Sequence, residues 1–124
     1  MNAKWITPVV TASDAEGHVD LEANKRIYEH LIQGGMDGIL ILGSIGEFFA
    51  ISMEEKKKLI DTAVSYINKR VTLYVGTNCM ILKDCIELSN YAIEKGADAV
   101  MVISPYYFNL PHDSVINFYD QVAD

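Results

Sequence analysis

The sequence predicts an α/β fold of the (β/α)8 barrel class, with four of the eight βα units present in this chain. Short apolar runs alternate with longer amphipathic segments, which is the order expected of a parallel sheet crossed over by helices. The apolar runs are continuous, as in strands that are covered on both faces. The segments GMDGILI and GADAVMV repeat one pattern 61 residues apart, from Gly35 to Gly96. Two units take up that span, so eight units would need about the 250 residues typical of a barrel.

Four strands and four helices are predicted in alternation. The strands cover residues 5–10, 38–42, 71–76 and 99–103. The second helix begins at Ser52, which forms a capping box with Glu55, and the third helix ends at Gly96. Helical periodicity predicts the inward faces of the four helices in chain order: Ile27, Tyr28, Leu31 and Ile32; Leu59, Ile60, Ala63, Val64 and Ile67; Cys85, Ile86, Leu88, Ala92 and Ile93; Ile116, Tyr119 and Val122.

An open, doubly wound sheet is the competing α/β architecture. Such a sheet usually carries a glycine-rich phosphate fingerprint in its first βα turn. Here that turn is the polar segment TASDAEG, and no G-x-G-x-x-G follows the first strand. The sequence therefore favours half of a closed barrel.

Composition and charge exclude several classes of partner. The net charge of −7 disfavours nucleic acid and anionic membranes, because both require a basic surface. No apolar run approaches the ~18 residues of a membrane span, and the first residues do not resemble a signal peptide. Cys79 and Cys85 fit no zinc spacing and are expected to be buried free thiols, and the histidines are scattered. We expect a cytoplasmic protein without a metal or other cofactor.

The segment Gly43-Ser44-Ile45-Gly46-Glu47 follows the second strand, at the edge of the sheet where a barrel keeps its site. Glycines let the backbone approach a ligand, and successive N–H groups near a helix start can hold an oxyanion. A tight turn that uses its glycines only for backbone freedom explains the pattern equally well. A nucleotide-binding loop rests on the glycines alone, since no Gly-Lys-Ser/Thr follows. Glu47 either serves as an acid or base or, more commonly for such a position, favours the helix dipole.

The segment Pro105-Tyr106-Tyr107-Phe108 follows the fourth strand. Adjacent tyrosines at a barrel mouth could relay a proton or cover a pocket, although paired aromatics more often fill a subunit contact. The run Lys56–Lys58 is predicted to be a solvated helix face. None of the eight lysines lies at the end of a predicted strand, where a buried Schiff-base amine would be expected.

Several of these motifs together resemble the dihydrodipicolinate synthase and N-acetylneuraminate lyase family of class I pyruvate-dependent aldolases. The resemblance extends along the whole chain and rests on Thr7-Pro8, the turn from Glu16 to Asp20, G-S-I-G-E, Gly76-Thr77 and S-P-Y-Y. It implies a (β/α)8 barrel that joins pyruvate, or another 2-oxo acid, to a lysine as an imine. It also implies a homo-oligomer, usually a tetramer.

The resemblance implies a role for each matching residue. Gly43, Ser44, Ile45 and Gly46 would receive the carboxylate of pyruvate on their backbone, and the Ser44 hydroxyl would join a proton relay. Tyr107 would belong to that relay as well, but in the site of a neighbouring subunit. Glu47 and Tyr106 would support the site structurally.

Two features concern the aldehyde that reacts with pyruvate. Ile45 stands where many family members have threonine. The stretch Asn78-Cys79-Met80-Ile81-Leu82 stands where many synthases have a polar Asn-x-Thr stretch. Phe48 and the apolar S-P-Y-Y-F resemble relatives that cleave 2-keto-3-deoxy sugar acids. A synthase-like lyase, a sugar-acid aldolase and an N-acetylneuraminate lyase are therefore all open.

The resemblance places the imine lysine on a later strand, beyond Asp124. Residues 1–124 are then the N-terminal half of a barrel, and we expect the chain alone to be inactive. A hypothesis of another class is a non-catalytic half barrel that self-associates. It rests on the unpaired edges of the first and fourth strands and on an inner face predicted to be Ile39, Ile41, Val100 and Val102.

Overall fold

A computed structural model describes residues 3–123 and contains four consecutive βα units. The four strands form one parallel sheet in the order β1-β2-β3-β4. The predicted class, a parallel half barrel of alternating strands and helices, is confirmed. The elements are β1 Ile6–Pro8, α1 Leu21–Gln33, β2 Gly38–Ile41, a 3₁₀ turn Phe48–Ala50, α2 Met53–Ile67, β3 Thr72–Gly76, α3 Leu82–Lys95, β4 Ala99–Met101 and α4 His112–Ala123.

The core lies between the sheet and the layer of helices. Ile39 pairs with Leu73 and Ile41 pairs with Val75 across β2 and β3, and all four side chains are buried in the main apolar cluster. From α2, Leu59, Ile60, Ala63 and Ile67 complete this cluster, as the helical periodicity predicted. Continuous apolar strands are needed here because one face packs on helices and the other turns towards the barrel axis.

The predicted inner face of the half barrel is wrong by one residue. Ile39 and Ile41 are fully buried against the helices, and Val100 also packs on that cluster. The opposite face carries the alternate residues, including Ile6 and Met101, which are 43% and 37% exposed. Because side chains alternate along a strand, an error of one residue moves every side chain to the other face. A continuous apolar run contains no polar residue that would reveal this alternation.

Assignments on three of the helices also need correction. Lys56 is buried rather than solvated, because it lies three and four residues before Leu59 and Ile60 on the inner face of α2. Ile93 on α3 is exposed, while Ser89 is buried on the same helix. On α4, Ile116 and Tyr119 are exposed and Phe118 takes the buried position; Val122 is half-buried.

The start of α2 follows the predicted cap. The Ser52 side chain accepts a hydrogen bond from the backbone N–H of Glu55, which confirms Ser52 as the N-cap of α2. The Glu55 carboxylate also accepts the backbone N–H of Val19 at 3.1 Å and so ties α2 to the loop after β1. Within residues 3–123, no helix is long and apolar enough to cross a membrane.

The internal repeat has a structural purpose at the start of the strands. Asp37 donates its N–H to the Trp5 carbonyl and accepts the Trp5 N–H on Oδ2 at 3.1 Å. At the equivalent position of the repeat, Asp98 donates to the Leu73 carbonyl and accepts the Leu73 N–H on Oδ2 at 2.8 Å. Each aspartate therefore pairs with both polar backbone groups of a residue at or just before the start of the preceding strand, which helps to set the register of the neighbouring strands.

The Asp98→Asn substitution tests the pairing of Asp98 with Leu73 through the pH dependence of stability. Burial alone would raise the pKa of Asp98, but hydrogen bonds from the Lys69 ammonium and the Leu73 N–H outweigh it and lower the pKa. A lowered folded-state pKa stabilises the fold above the unfolded-state pKa of about 4 and loses this contribution as the pH falls below it. We therefore expect the urea midpoint of unfolding to fall less between neutral and acidic pH in the variant than in the wild type. If the urea midpoint falls equally at acidic pH in the variant and the wild type, Asp98 does not have this role.

Candidate functional site

The loop that follows β2 begins with an unusual backbone at Leu42. This residue has a φ of 56° and is fully buried. A bulky residue in the left-handed region costs of order 1–3 kcal/mol and persists only where the surroundings hold it. Gly76, at the end of β3, provides the space: a Cβ there would lie 2.1 Å from the Leu42 carbonyl oxygen. The ends of the two central strands thus meet backbone against backbone.

The turn from Ser44 to Glu47 presents a row of free backbone donors. Glu47 donates its N–H to the Ser44 carbonyl at 3.1 Å and closes the turn. The N–H groups of residues 43–46 donate to no backbone acceptor within residues 3–123. Ser44 and Ile45 are exposed at the carboxyl edge of the sheet, whereas Gly43 and Gly46 are buried. Such a row of unpaired backbone N–H groups is typical of sites that bind an oxyanion.

Glu47 lies between the turn and the 3₁₀ segment of this loop. Its backbone is left-handed, with a φ of 51°, and it precedes the 3₁₀ turn without a side-chain capping bond. Its carboxylate is exposed, and within the described chain it makes no hydrogen bond that would orient it towards Ser44. The structural role that the sequence favoured for Glu47 stays a prediction.

Two buried polar residues extend the site at the end of β3. Asn78 accepts the backbone N–H of Ile103 at 2.7 Å, so it joins the end of β3 to the end of β4. The Thr77 hydroxyl lies 2.7 Å from that of Ser89, which in turn donates to the Cys85 carbonyl. Ser89 is buried for this reason, although apolar periodicity overlooked it.

The tyrosine pair after β4 divides between two environments. The Tyr106 ring packs edge-on against Phe48, with 5.9 Å between centroids, and so links this loop to the loop after β2. Tyr107 has a φ of 82°, is 88% exposed and contacts Phe108. No hydrogen bond joins Ser44 to Tyr107 within residues 3–123. The structure therefore brings together the residues of the glycine loop and Tyr106, but leaves Tyr107 facing outwards.

A cavity of about 280 Å³ lies beside these loops. Lys56 reaches into it, with its Nζ 5.8 Å from the centroid of the Phe48 ring. Cys79 also lines it, and burial raises the pKa of this thiol and of the buried Cys85 thiol. Both cysteines are free and poorly ionised. Helical spacing contained the signal for Lys56, since it falls on the inner face of α2.

The family of the chain follows from comparison with known proteins. A family model described as the dihydrodipicolinate synthetase family matches residues 1–124. The chain belongs to this family. YagE of Escherichia coli strain K12, provisionally named a 2-dehydro-3-deoxy-D-gluconate aldolase, is 37% identical over 119 residues. A 4-hydroxy-tetrahydrodipicolinate synthase of Oceanobacillus iheyensis is 32% identical over 121 residues.

Solved structures of the dihydrodipicolinate synthetase family match the same fold. The crystal structure of YagE in complex with pyruvate superposes with a TM-score of 0.93 at 36% identity and covers 98% of this chain. Dihydrodipicolinate synthase of Aquifex aeolicus superposes with a TM-score of 0.93 at 30% identity. The chain spans about 41% of each of these structures and 39% of the YagE sequence. It therefore corresponds to less than half of the length of such relatives.

Replacing Gly76 by alanine tests the contact on which the loop depends. The added methyl group would collide with the Leu42 carbonyl, so we expect a loss of about 3 kcal/mol or more in the free energy of unfolding. Gly43→Ala is the matched control, because a Cβ there meets only Leu40 side-chain atoms, at 3.5 Å and beyond. Chemical denaturation of both variants measures the difference. Equal stability of the two would refute the contact.

Proposed function

We propose that this chain carries the 2-oxo acid carboxylate site of a pyruvate-dependent lyase of the class I aldolase type. The row of free N–H groups at residues 43–46 is the observation that carries this proposal. The loop is exposed at the carboxyl edge of the parallel strands, the edge at which barrels of this class keep their sites. The pyruvate complex of YagE, a family member with the same fold, supports the same ligand class.

Each residue of the site has a chemical task in this proposal. The backbone of Ser44 and Ile45 holds the carboxylate, with Gly43 and Gly46 allowing its close approach. A lysine outside these 124 residues adds its amine to the C2 carbonyl, and the carbinolamine then loses water to form a protonated imine. The Ser44 hydroxyl, together with the Tyr107 phenol of a neighbouring subunit, carries the proton that converts the leaving hydroxyl into water. Proton transfer through hydroxyl groups needs no additional charge in the pocket.

The substrate that this lyase splits into pyruvate and an aldehyde is, in this proposal, a 2-keto-3-deoxy sugar acid. Ile45 places an apolar side chain, 56% exposed, beside the carboxylate donors, and Phe48 and Tyr106 form an aromatic wall nearby. The provisional name of YagE points to the same substrate class. A synthase-type reaction with another aldehyde is the alternative, supported by the similarity to the Oceanobacillus protein.

Assembly and location extend the proposal. Tyr107 is 88% exposed, which suits a residue that completes a site in a neighbouring subunit of a homo-oligomer. A tetramer and a cytoplasmic location stay predictions from the family resemblance.

A pyruvate titration followed by amide NMR tests the carboxylate site. We expect saturable shifts of the Ser44, Ile45 and Gly46 amides with pyruvate, because its carboxylate would accept their N–H groups. Acetone, which has the carbonyl but no carboxylate, should leave these amides unchanged. Inorganic phosphate tests the competing phosphate-loop hypothesis. Stronger shifts with phosphate, or pyruvate shifts confined to other residues, would sink the proposal.

Borohydride reduction after incubation with pyruvate separates binding from imine formation. The mass of this chain should stay unchanged, whereas a polypeptide extended to the full length of its relatives should gain one reduced pyruvyl group. A gain in mass by this chain alone would place the imine lysine within residues 1–124 and refute its assignment to a later strand.

Self-association of the half barrel is the second candidate function, and the exposed apolar residues of the open sheet face favour it. We expect Met101→Glu to convert an oligomer of this chain into a monomer in sedimentation velocity, because it places a charge on that face. Ile93→Glu is the control, since Ile93 is also exposed but lies on the outer surface of α3. A monomeric wild-type chain, or equal effects of both substitutions, would eliminate this candidate.

A further inference from the structure

Asn24 is a buried polar residue on the otherwise apolar face of α1. It is fully buried, and its carboxamide pairs with both backbone polar groups of Ala12. Its Oδ1 accepts the Ala12 N–H at 3.2 Å, and its Nδ2 donates to the Ala12 carbonyl at 2.9 Å and to the Asp20 carbonyl at 2.7 Å. Bonds to both the N–H and the carbonyl of Ala12 fix the peptide units on either side of this residue, so α1 determines where the segment after β1 runs.

Thr11 precedes Ala12 and makes the next contact. Its hydroxyl donates to the Gly46 carbonyl at 2.8 Å, which joins the loop after β1 to the glycine loop. The two segments touch closely, because a Cβ on Gly46 would lie 2.9 Å from the Val9 carbonyl and 3.1 Å from the Thr11 hydroxyl. Hydrogen bonds therefore join the Asn24 side chain to Ala12 and the Thr11 side chain to Gly46, and the Thr11–Ala12 peptide connects the two sets.

The Thr11 hydrogen bond ends on the peptide that joins Gly46 to Glu47. Thr11 binds the carbonyl of this peptide, and the Ser44 carbonyl accepts its N–H at 3.1 Å. With both polar ends occupied, the peptide plane cannot rotate without breaking one of these bonds. These two hydrogen bonds also hold the rest of the turn, including the free donors of Ser44 and Ile45, at the edge of the sheet.

We propose that Thr11 is a positioning residue for the carboxylate site and that Asn24 holds Thr11 in place for this purpose. This inference rests on the proposed function, because it assigns the donors of residues 43–46 to a carboxylate. Donors that are oriented before the ligand arrives need no reorganisation when it binds, and pre-orientation of this kind is a main source of affinity at anion sites. Thr11 does not touch the carboxylate and acts through Gly46.

The Thr11→Val substitution is the central test, since valine has nearly the same shape and lacks the hydroxyl. We expect pyruvate to bind this variant about threefold to tenfold more weakly, the range that one net hydrogen bond is worth. Thr11→Ser restores the donor and should bind like the wild type. Thr72→Val is the matched control, because Thr72 is also half-buried but lies at the opposite end of the sheet, at the start of β3. The readouts are the pyruvate dissociation constant from the Ile45 and Gly46 amide shifts and the thermal midpoint.

The outcomes distinguish this inference from the function on which it rests. If the wild-type chain binds no pyruvate, the carboxylate site itself is wrong and the role of Thr11 falls with it. If the wild type binds and Thr11→Val binds equally well, Thr11 is structural and only the positioning role is overturned, even when the thermal midpoint drops. Should Thr11→Val not fold, Thr11→Cys supplies a weak donor of similar size, and its affinity should lie below that of Thr11→Ser. Equal affinities of the Cys and Ser variants would also overturn the role.

Discussion

The contact between the Leu42 carbonyl and Gly76 is the constraint on which the site depends. A parallel strand that ends in a normal extended backbone would carry the chain straight out of the sheet. Here the left-handed Leu42 turns the chain across the sheet edge, and it can do so because Gly76 has no side chain in the way. The turn at Ser44, the 3₁₀ segment and the start of α2 all follow from that change of direction.

Burial offsets the strain of this turn. The Leu42 side chain is fully buried, and burying a leucine is worth about 1.5–3 kcal/mol, which is comparable to the conformational cost of its backbone. Packing between sheet and helices therefore supports an unfavourable backbone beside the proposed carboxylate site. The aspartates at the other end of the sheet hold the strand register, so the two ends have separate tasks. Asp37 and Asp98 align the strands, and the loop of residues 43–47 forms the proposed site.

Much of this arrangement is predictable from the sequence, because it depends on local patterns. Continuous apolar runs predict parallel strands, and Ser52 followed by Glu55 predicts the start of α2. The facing of the strands is not predictable in this way, since residues 39–42 are apolar on both faces of the sheet. The burial of Lys56 is at odds with its charge, although its helical position indicates it. On α4 the buried residue is Phe118, whereas the sequence predicted Ile116 and Tyr119. All three side chains are apolar enough to be buried, and only tertiary packing selects among them.

The site itself is predictable only where its chemistry lies in the backbone. The glycines around Ser44 indicate a binding loop, because glycine lets a ligand approach the backbone closely. Asn24 and Thr11 hold the backbone donors of that loop in place. Both residues are distant from the loop in sequence and of common types, so no local motif predicts their role.

Binding of the carboxylate and formation of the imine have different requirements in this chain. Backbone donors of one short loop can bind a carboxylate without the amine, whereas the imine requires a nucleophile brought to C2 by another part of the barrel. A loop of this kind is therefore complete as a binding element before the catalytic site is complete.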